Sequence, residues 1–499
     1  MIMKTNGTAK KKSFSEKRVS SKIKGRLLLL LAMALVVGPG GMAHAAAGVT
    51  YESKSISYDG KSYSLQYTVI DPKNPYLRVM AVTAQEGIGH VEDFSSMVKR
   101  NNAVAAVNGT FFNAYEASET VRYPNGLLLN AGETLHSGKN QSLILPVSKT
   151  PDIRMIQLKV QITIKGKDTS YTCNPWGVNR YYGEKTTTQI VVFTRAFGKQ
   201  ITFAGSKAII NNEGIITAIT AGTAAIPNGG EVLFIGNDES NKRNIMTKLS
   251  VGDHVTIEHT VLDTDSGVLS TTEDYEAAVG VGPKLVTNGK VDVNTERDGF
   301  QDPKITTSAA ARSFVGVNAN GHLVLGVSTA ATMNQLAQVL IKLGLKEAMN
   351  LDGGASSALY AEGEMKRSAG RKLSNAIVVR GYDKPQVQVF VNRKIVNEIR
   401  GYMENNRTMV PLRGIFERLG ATMSWDKSGK ILTVRKGETK LVLELGSKQA
   451  ELNGKIIALE TPPVVQEGRT FVPLRFAVTA LGGTVTWDNA LYRASIVAP

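Results

Sequence analysis

A duplicated segment near the carboxyl end constrains the fold of this chain more than any other feature. The sequence Arg-Thr-Met-Val-Pro-Leu-Arg at residues 407–413 recurs as Arg-Thr-Phe-Val-Pro-Leu-Arg at residues 469–475, and each copy continues through Leu-Gly to Trp-Asp. Helix-spaced apolar residues follow each proline, and strand-like alternation leads to each tryptophan. The repeat therefore predicts a small duplicated domain of ββαβ-type units over residues 387–499.

The two repeats contain no group of His, Cys or carboxylate residues suited to chemistry. Trp425 and Trp487 occupy equivalent positions in the two copies. Paired tryptophans of this kind belong to a core more often than to a surface, so a core position is expected. The alternative is a surface for a sugar or wall polymer, made by these two tryptophans and four arginines.

Positive charge is concentrated at the amino end. The 499-residue chain has 59 Lys and Arg residues against 43 Asp and Glu residues, a net charge of +16, and half of this excess lies within the first 26 residues. The remainder is mildly basic, which argues against a nucleic-acid-binding protein. The length predicts two or three domains. The single cysteine, Cys173, excludes an internal disulfide.

The first 45 residues have the order of a secretory signal. A basic stretch precedes the uncharged segment from Leu27 to Val37, and the small residues Ala43-His44-Ala45 follow. We therefore expect cleavage near Ala45 and export of the mature chain. The apolar segment has about half the length that a membrane-spanning helix needs. The Lys-rich leader favours a bacterial, Gram-positive source and a secreted or cell-wall-associated protein.

Polar, glycine-rich turns follow two apolar strands in the central part of the chain. Asn108-Gly109-Thr110 follows a helix and the strand 103–107, and Asp352-Gly353-Gly354 with Ser356 and Ser357 follows a helix and the strand 348–351. This order predicts an α+β protein with a mixed α/β catalytic domain, in which the active-site loops lie at strand ends. The glycine amides are suited to approach an anion closely.

Two further segments complete the predicted site. Arg312 opens the strand 311–317, where a guanidinium group is suited to bind phosphate oxygens in a bidentate pair. Gly282 lies in Val281-Gly282-Pro283, which predicts a tight turn beside the ligand. Taken singly, each segment has a plain alternative as an ordinary turn or a surface arginine.

Taken together and in chain order, these segments resemble the phosphodiester glycosidase family, to which the uncovering enzyme N-acetylglucosamine-1-phosphodiester alpha-N-acetylglucosaminidase belongs. Ala355 stands where the family usually has a third glycine, and Ser313 where it usually has threonine. The strand-rich stretch 153–272 matches poorly, so substrate choice is not carried over. The resemblance covers residues 103–381 and depends on Asn108-Gly109-x-Phe111-Phe112, Pro124-Asn125-Gly126-Leu127, Val281-Gly282-Pro283, Arg312-Ser313 and Leu351-Asp352-Gly353-Gly354-x-Ser356-Ser357.

The resemblance implies a secreted hydrolase that cleaves a sugar-1-phosphodiester to free sugar and a phosphomonoester. An N-acetylglucosamine phosphodiester in a cell-wall or exopolysaccharide polymer is one such substrate. The alternative is a non-catalytic protein that binds cell-wall polysaccharide or takes part in exopolysaccharide assembly. For the hydrolase, the expected catalytic residues are Asp352 and Arg312, and the expected substrate-binding residues are Asn108, Gly109, Thr110, Gly282, Gly353, Gly354, Ser356 and Ser357.

Other ionisable groups are weaker candidates for the chemistry. No cofactor and no metal site is expected, because no known metal-binding motif is present. A second carboxylate, if the reaction uses one, has four candidates by residue type, and a proton donor has two. These are Glu116, Glu119, Glu133 and Glu276 for the carboxylate, and His136 and His322 for the proton donor.

The carboxyl-terminal repeat resembles the copper amine oxidase N-terminal-like domain, or stalk domain, over residues 387–497. No copper ligand set is visible, so no copper is inferred, and the resemblance implies attachment or spacing at the cell wall. The expected partners are a phosphodiester-linked glycan and the wall, with no nucleic acid and no membrane-spanning segment after cleavage. The predicted organisation is a signal peptide at 1–45, a catalytic domain at 46–382, a linker at 383–386 and the duplicated domain at 387–499.

Overall fold

Short antiparallel strands make up most of the structure, a computed structural model. It describes residues 48–168, 170–392, 394–396, 400–426, 428–466 and 468–497. The predicted signal peptide, residues 1–45, lies outside the described residues. Within these ranges, no helix combines the length and the apolar character that crossing a membrane requires.

The strands are numbered in chain order. Strands β1 to β11 are Val49–Tyr58, Lys61–Ile70, Leu77–Thr83, Ala103–Asn108, Leu128–Asn130, Glu133–His136, Lys139–Pro146, Asp152–Lys165, Ser170–Cys173, Gly177–Val178 and Ile190–Phe193. Strands β12 to β27 are Gln200–Ile201, Ser206–Ile210, Ile216–Thr220, Ala224–Ala225, Glu231–Ile235, His254–Asp263, Leu269–Thr271, Tyr275–Val281, Lys284–Thr287, Lys290–Val291, Ala310–Asn318, Leu323–Ala331, Leu345–Asn350, Leu359–Ala361, Glu364–Arg367 and Asn375–Gly381.

The last strands belong to the carboxyl-terminal repeats, and the helices are few and short. Strands β28 to β40 are Gln386–Val391, Lys394–Ile395, Gly401–Glu404, Arg407–Pro411, Thr422–Trp425, Ile431–Lys436, Thr439–Glu444, Gln449–Leu452, Lys455–Ala458, Val464–Gln466, Arg469–Pro473, Thr484–Asp488 and Arg493–Val497. Helices α1 to α6 are Phe94–Arg100, Glu239–Asn244, Pro303–Thr306, Met333–Leu343, Leu412–Arg418 and Leu474–Ala480, with 3-10 turns at Gly183–Thr188, Met246–Lys248, Thr272–Asp274 and Gly354–Ser356.

The predicted α+β class, with a mixed α/β catalytic domain, is wrong. Strands account for 50% of the described residues and helices for only 12%. Helices α1 and α4 do precede β4 and β24, but β4 pairs antiparallel with β25 and β27, and β24 pairs antiparallel with β20 and β22. The sequence pattern gave the local order of helix and strand correctly. The direction of pairing depends on distant strands, which local periodicity does not report.

Three sheets surround the main core. The first has the order β1-β2-β23-β22-β24-β20-β21, the second β26-β25-β4-β27-β3, and the third β18-β17-β8-β7-β19-β5-β6, with β9 also paired to β8. Val315, Val107 and Val279, one from each sheet, lie in the same buried cluster. The chain between them forms a smaller sheet, β10-β11-β16-β13-β14, and the pair β12-β15.

Helix α4 fixes the outer face of the first sheet. The Thr332 hydroxyl accepts from the Gln335 N–H at 3.3 Å, and the Gln335 side chain accepts from the Thr332 N–H at 3.0 Å, so each end of this capping box satisfies the other. Gly344, at a φ of +101°, ends the helix. Leu340 packs with Phe314 of the sheet in one buried cluster, which holds β24 in place.

The carboxyl-terminal module, residues 386–497, contains the order strand, helix, strand twice, as β31-α5-β32 and β38-α6-β39. One of its sheets has the order β37-β38-β31-β30-β28-β40-β39, with β29 paired to β28, and the other runs from β32 to β36 in chain order. Val410 and Val472 pair directly across β31 and β38 and are fully buried. The two repeats therefore share one core.

Candidate active site

Three chain segments meet at the carboxyl end of β24. β4 ends at Asn108, β24 ends just before Leu351 and Asp352, and β22 begins close by. The Asp352 N–H donates to the Gly109 carbonyl at 3.1 Å, and the Leu351 N–H donates to the Ser313 carbonyl at 2.9 Å. The ends of antiparallel strands thus bring together the polar turns that the sequence singled out.

Asn108 links these segments through its side-chain amide. Its Nδ2 donates to the Asp352 carbonyl at 2.6 Å, and its Oδ1 accepts from the Ser313 hydroxyl at 2.7 Å and from the Ala358 N–H at 3.0 Å. The residue is buried, with 1% of its surface exposed. Because all three bonds are to protein groups, Asn108 positions the Asp352 turn, which differs from the predicted contact with substrate.

Asp352 is half-buried at the start of the 3-10 turn. Burial raises the pKa of its carboxyl group to about 7, while hydrogen bonding to Ser356, the positive charge of Arg371 and the Gly353 N–H oppose that rise. Near neutral pH the group therefore exchanges between its acid and carboxylate forms. A pKa in this range suits acid–base catalysis.

The glycines of this turn allow a close backbone approach. A Cβ atom at Gly353 would lie 2.9 Å from the Ala311 carbonyl oxygen and 3.6 Å from Arg312 Cδ. Gly354 has a φ of +61°, which other residues adopt at a cost. The turn therefore lies directly against the start of β22, and Arg312 and Asp352 are neighbours in space.

Arg312 uses its guanidinium group differently from the prediction. Its Nε donates to the Ala331 carbonyl at 3.0 Å, and its Nη2 donates to the carbonyls of Lys304 and Ser308 at 3.2 and 2.5 Å. The residue is buried, which lowers the pKa of the guanidinium group. Nε and Nη2 thus already donate to three carbonyl oxygens, and Arg312 ties the segment around α3 to β23.

A cationic and aromatic rim beside the Asp352 turn was missed by the sequence reasoning. The Arg371 guanidinium carbon lies 5.1 Å from the centre of the Tyr115 ring, and Lys304 Nζ lies 5.3 Å from the same centre. The Tyr115 residue is 81% exposed. Arg371 is also the positive charge that acts on Asp352. In the sequence, the signal for this rim was the group of basic residues within 366–372. This group comes one short hairpin after the Asp-Gly-Gly turn.

Two of the predicted site residues have a buried hydroxyl group without a hydrogen-bond partner among the described residues, Thr110 through Oγ1 and Ser357 through Oγ. The backbone of Thr110 is fixed by Asn375, whose Oδ1 accepts from the Thr110 N–H at 2.7 Å and whose Nδ2 donates to the Thr110 carbonyl at 3.3 Å. A buried hydroxyl without a partner costs about 1 to 3 kcal/mol. Both hydroxyls are therefore suited to hydrogen-bond a ligand.

Gly282 supports the end of β24. The Gly282 N–H donates to the Asn350 carbonyl at 3.3 Å, and the Asn350 N–H donates to the Pro283 carbonyl at 3.0 Å. A Cβ atom at Gly282 would lie 3.1 Å from the Phe300 ring, which packs edge-to-face with Phe111 at 5.7 Å between ring centres. The glycine lets this aromatic pair approach the strand end, as a tight turn beside the site.

Among the weaker candidates, His136 is linked to the site through Gly126. Its Nδ1 donates to the Gly126 carbonyl at 2.8 Å, and its buried Nε2 has no partner among the described residues. Burial lowers the pKa of the imidazole to about 4, so the ring is neutral near pH 7. A Cβ atom at Gly126 would meet Thr110 Oγ1 at 2.4 Å, so Gly126, whose carbonyl accepts from His136, lies against the Thr110 hydroxyl.

The remaining candidates are placed away from the Asp352 carboxyl or are exposed. Glu276 is buried in an ion pair with Arg400, and Glu119 pairs with Lys372 at 2.7 Å. His322 lies in the turn after β22, at the opposite end of that strand from Arg312. Glu116 and Glu133 are exposed.

A cavity of about 990 Å³ lies elsewhere in the first part of the chain, and none of the predicted site residues lines it. We place the candidate site at Asp352 nonetheless, because a perturbed carboxyl group and unpaired hydroxyls indicate chemistry better than volume does. The cavity is bordered by Tyr123, Tyr181, Phe197, Arg100, Arg195 and Lys199.

Within the described ranges, no three His, Cys, Asp or Glu side chains are grouped as a metal site requires. The expectation of a metal-independent reaction remains a prediction. Activity in the presence of a chelator tests it.

Two protein-family models match the chain. Residues 204–380 match the phosphodiester glycosidase family, and residues 389–496 match the copper amine oxidase N-terminal domain. Both resemblances are confirmed. The first match contains the Gly282, Arg312 and Asp352 segments, whereas the Asn108 turn precedes it.

The described fold is similar to that of solved structures. A hypothetical protein from Synechocystis aligns with a TM-score of 0.56 and 21% identity, over 67% of this chain and 62% of that one. A candidate exported protein from Burkholderia pseudomallei aligns with a TM-score of 0.52 and 18% identity, over 64% of this chain and 74% of that one. At these identities the likeness shows the fold alone.

The catalytic domain of zebrafish N-acetylglucosamine-1-phosphodiester alpha-N-acetylglucosaminidase, auto-inhibited by its pro-peptide, aligns with a TM-score of 0.33 and 13% identity, over 66% of this chain and 82% of that one. That score is too low to carry an argument about the fold or the site. No curated protein matches the chain.

Proposed function

We propose that the protein hydrolyses a sugar-1-phosphodiester to free sugar and a phosphomonoester. The observation that carries this proposal is the half-buried Asp352 carboxyl group, with a pKa of about 7, inside the segment that matches the phosphodiester glycosidase family. An N-acetylglucosamine phosphodiester of a wall or exopolysaccharide polymer is the substrate class we favour.

In the proposed reaction, the bond between the anomeric carbon and the phosphate oxygen breaks and a water oxygen bonds to that carbon. The ionised Asp352 accepts a proton from the attacking water and later releases it to solvent. The phosphomonoester leaves as an anion. Because that anion is more stable than an alkoxide, its departure needs little help from a general acid, so one carboxylate is enough.

The rim supplies the charge that this reaction needs. We assign the phosphate to Arg371 and Lys304, since Nε and Nη2 of Arg312 already donate to carbonyl oxygens. The Tyr115 ring offers an exposed face to a sugar. The unpaired hydroxyls of Thr110 and Ser357 are assigned to sugar hydroxyl groups, which satisfies buried atoms that otherwise have no partner.

Release of reducing sugar tests the proposal. Purified chain starting at Ala46 is incubated with a soluble N-acetylglucosamine-1-phosphodiester, and free sugar is measured over time. Asp352→Asn should slow release by about 100-fold or more, with the fold retained by circular dichroism. The matched control is Asp265→Asn, an exposed carboxylate outside the candidate site. No product from the wild type, or an unchanged rate for Asp352→Asn, contradicts the proposal.

We also propose that the protein acts outside a bacterial cell, at the wall. The Ala43-His44-Ala45 signal pattern supports export, and a fold relative is a candidate exported protein. Fractionation of the source organism tests the location: recovery of the protein in the cytoplasm, with residues 1–45 retained, contradicts it.

A further inference from the structure

The pairing of β31 with β38 in the carboxyl-terminal module has local twofold symmetry. Across β31 and β38, Met409 pairs with Pro473, Val410 with Val472 and Pro411 with Phe471. Exchanging the repeats turns the first pair into the third and leaves the pair of Val410 and Val472 unchanged. The symmetry axis therefore passes between Val410 and Val472. An axis of this kind is perpendicular to the sheet. Rotation about it exchanges the two antiparallel strands but does not exchange the two faces of the sheet. Features duplicated by the repeat therefore lie on one side of this sheet.

Two grooves follow this symmetry, with volumes of about 970 Å³ (groove A) and 600 Å³ (groove B). Each groove is lined by residues of both repeats. One repeat contributes a Leu-Arg pair at the start of a helix and a tryptophan, and the other repeat contributes an Arg-Thr pair. Neither repeat can therefore form a groove alone. Groove A is lined by Leu412, Arg413, Trp425, Arg469 and Thr470, and groove B by Leu474, Arg475, Trp487, Arg407 and Thr408.

The two tryptophans are surface residues, so the expectation that they belong to a core is wrong. Trp425 is 39% exposed and Trp487 is 40% exposed. The reason is that the helices α5 and α6 fill the core with Phe416 and Val478, while the tryptophans near the ends of the short strands β32 and β39 line the grooves. An equivalent half-exposed indole in both grooves gives each a flat apolar surface beside charged groups.

Each groove has an excess of positive charge. Groove A has Arg413 and Arg469 against Glu417, which lies 3.9 Å from Arg413. In groove B, Arg407 is paired with Glu460, and the second arginine is exposed. Guanidinium groups bind phosphate oxygens in a bidentate manner, and an indole face packs on the apolar face of a sugar ring. Phosphate and sugar alternate in a phosphodiester-linked glycan, which offers both groups to each groove.

We propose that the carboxyl-terminal module binds a phosphodiester-linked glycan at two equivalent grooves, each built from both repeats. The inference deepens the proposed function, on which its choice of polymer rests, by naming the surface that holds the polymer. Because both grooves lie on one side of the sheet, one long polymer can occupy both. Binding at the second groove is then intramolecular and strengthens attachment without further contacts.

The test compares polymer and fragment binding by the full mature chain carrying Asp352→Asn, which prevents cleavage. The probes are a purified glycosylated teichoic acid, its tetrameric fragment, and neutral dextran of similar length. We expect about two fragments per chain, and about one after either Trp425→Ala or Trp487→Ala. Either substitution should weaken polymer binding by about tenfold or more, because avidity is lost. The double substitution should abolish binding of both teichoic acid probes.

Matched controls separate the grooves from general surface chemistry. Ile456→Ala removes an apolar residue that is 65% exposed and lies outside both grooves. Arg418→Ala removes an exposed positive charge from α5, for comparison with Arg413→Ala in groove A. Equal loss in the controls, equal binding of dextran, or full binding by the double tryptophan variant overturns the proposal. Sugar release by the wild-type chain from a soluble substrate is measured separately, so failure of binding and failure of hydrolysis are distinguished.

Discussion

A carboxyl group that titrates near neutrality makes activity depend on pH, and Asp352 is such a group. If its ionised form accepts the proton from water, kcat/KM should rise from pH 5, reach half its maximum near the pKa of about 7, and level off above that. Initial rates of sugar release measured across this range give the profile. A profile that falls through pH 7 contradicts the proposed base and indicates an acid.

Arg371 offers a control on that profile. Its positive charge favours the carboxylate form of Asp352, so Arg371→Gln should move the midpoint to higher pH by several tenths of a unit to about one unit. The adjacent Lys372 is exposed and pairs with Glu119 at 2.7 Å, so Lys372→Gln should leave the midpoint in place. Equal shifts in both variants indicate a general charge effect.

The same pKa has a consequence for stability. The pKa of Asp352 rises from 3.8 to about 7 on folding, so between these values the folded chain holds a proton that the unfolded chain has lost. Stability therefore falls as pH rises through this window. Asp352→Asn removes the penalty and should raise the free energy of unfolding at pH 8 by about 1 to 3 kcal/mol, with a smaller difference at pH 4. Urea unfolding at both pH values measures this, and a less stable variant at pH 8 contradicts it.

Among the elements, the ends of β4, β22 and β24 are joined by the Asn108 side chain. Asn108→Ala leaves the Ala358 N–H and the Ser313 hydroxyl without their acceptor in a buried site, and should lower the free energy of unfolding by about 2 to 4 kcal/mol. It should also lower kcat, because the Asp352 turn loses its support. Asn320→Ala, in the exposed turn after β22, is the matched control. Wild-type stability of Asn108→Ala contradicts the linking role.

The order of local elements was predictable from the sequence. Asp93 to Val107 and Thr332 to Leu351 carry apolar spacing, and α1-β4 and α4-β24 form there. Thr332 caps its helix through its side chain, whereas Asp93 stands at the N-cap position without a capping hydrogen bond. Pairing direction was not predictable, because β24 takes its neighbours β20 and β22 from segments up to about sixty residues away in the chain. Each short hairpin between these strands allows alternative strand pairings, and local spacing does not determine which pairing forms.

The motifs were a good guide to which backbone segments lie close together. They were a poorer guide to what the side chains of those segments bind. Asn108, Arg312 and Asp352 do converge, because strand ends carry them to one place. The hydrogen-bond partners of Arg312 depend on the carbonyls of Lys304, Ser308 and Ala331, which no spacing rule relates to the motif. Which donors are free for a ligand is therefore a property of the packed structure.

In the whole molecule, buried charges join the first part of the chain to the carboxyl-terminal module. The Glu276 carboxylate accepts from Arg400 and from the Gln388 side chain, both of the module. Arg78 and Lys149, from the first part of the chain, also act on Glu276, and together these positive charges hold the pKa of its carboxyl group below its usual range. The module is therefore fixed to the rest of the chain by more than the linker.

Removing the Glu276 carboxylate should weaken the attachment of the module to the rest of the chain. Glu276→Gln leaves buried cations without their counter-charge and should lower the free energy of unfolding by about 3 to 5 kcal/mol near pH 7. Because the folded pKa is depressed, the difference should shrink as pH falls through the acid range. The control is Glu404→Gln, whose more exposed partner Lys384 suggests a loss of about 0 to 1 kcal/mol. Equal losses in the two variants contradict a special role for Glu276.

The parallel pairing of β28 with β40 joins the first strand of the carboxyl-terminal module to its last. During synthesis, residues 386–391 must wait for residues 493–497 to leave the ribosome before that sheet closes. A chain clipped within the final loop loses the closing strand and presents an open sheet edge.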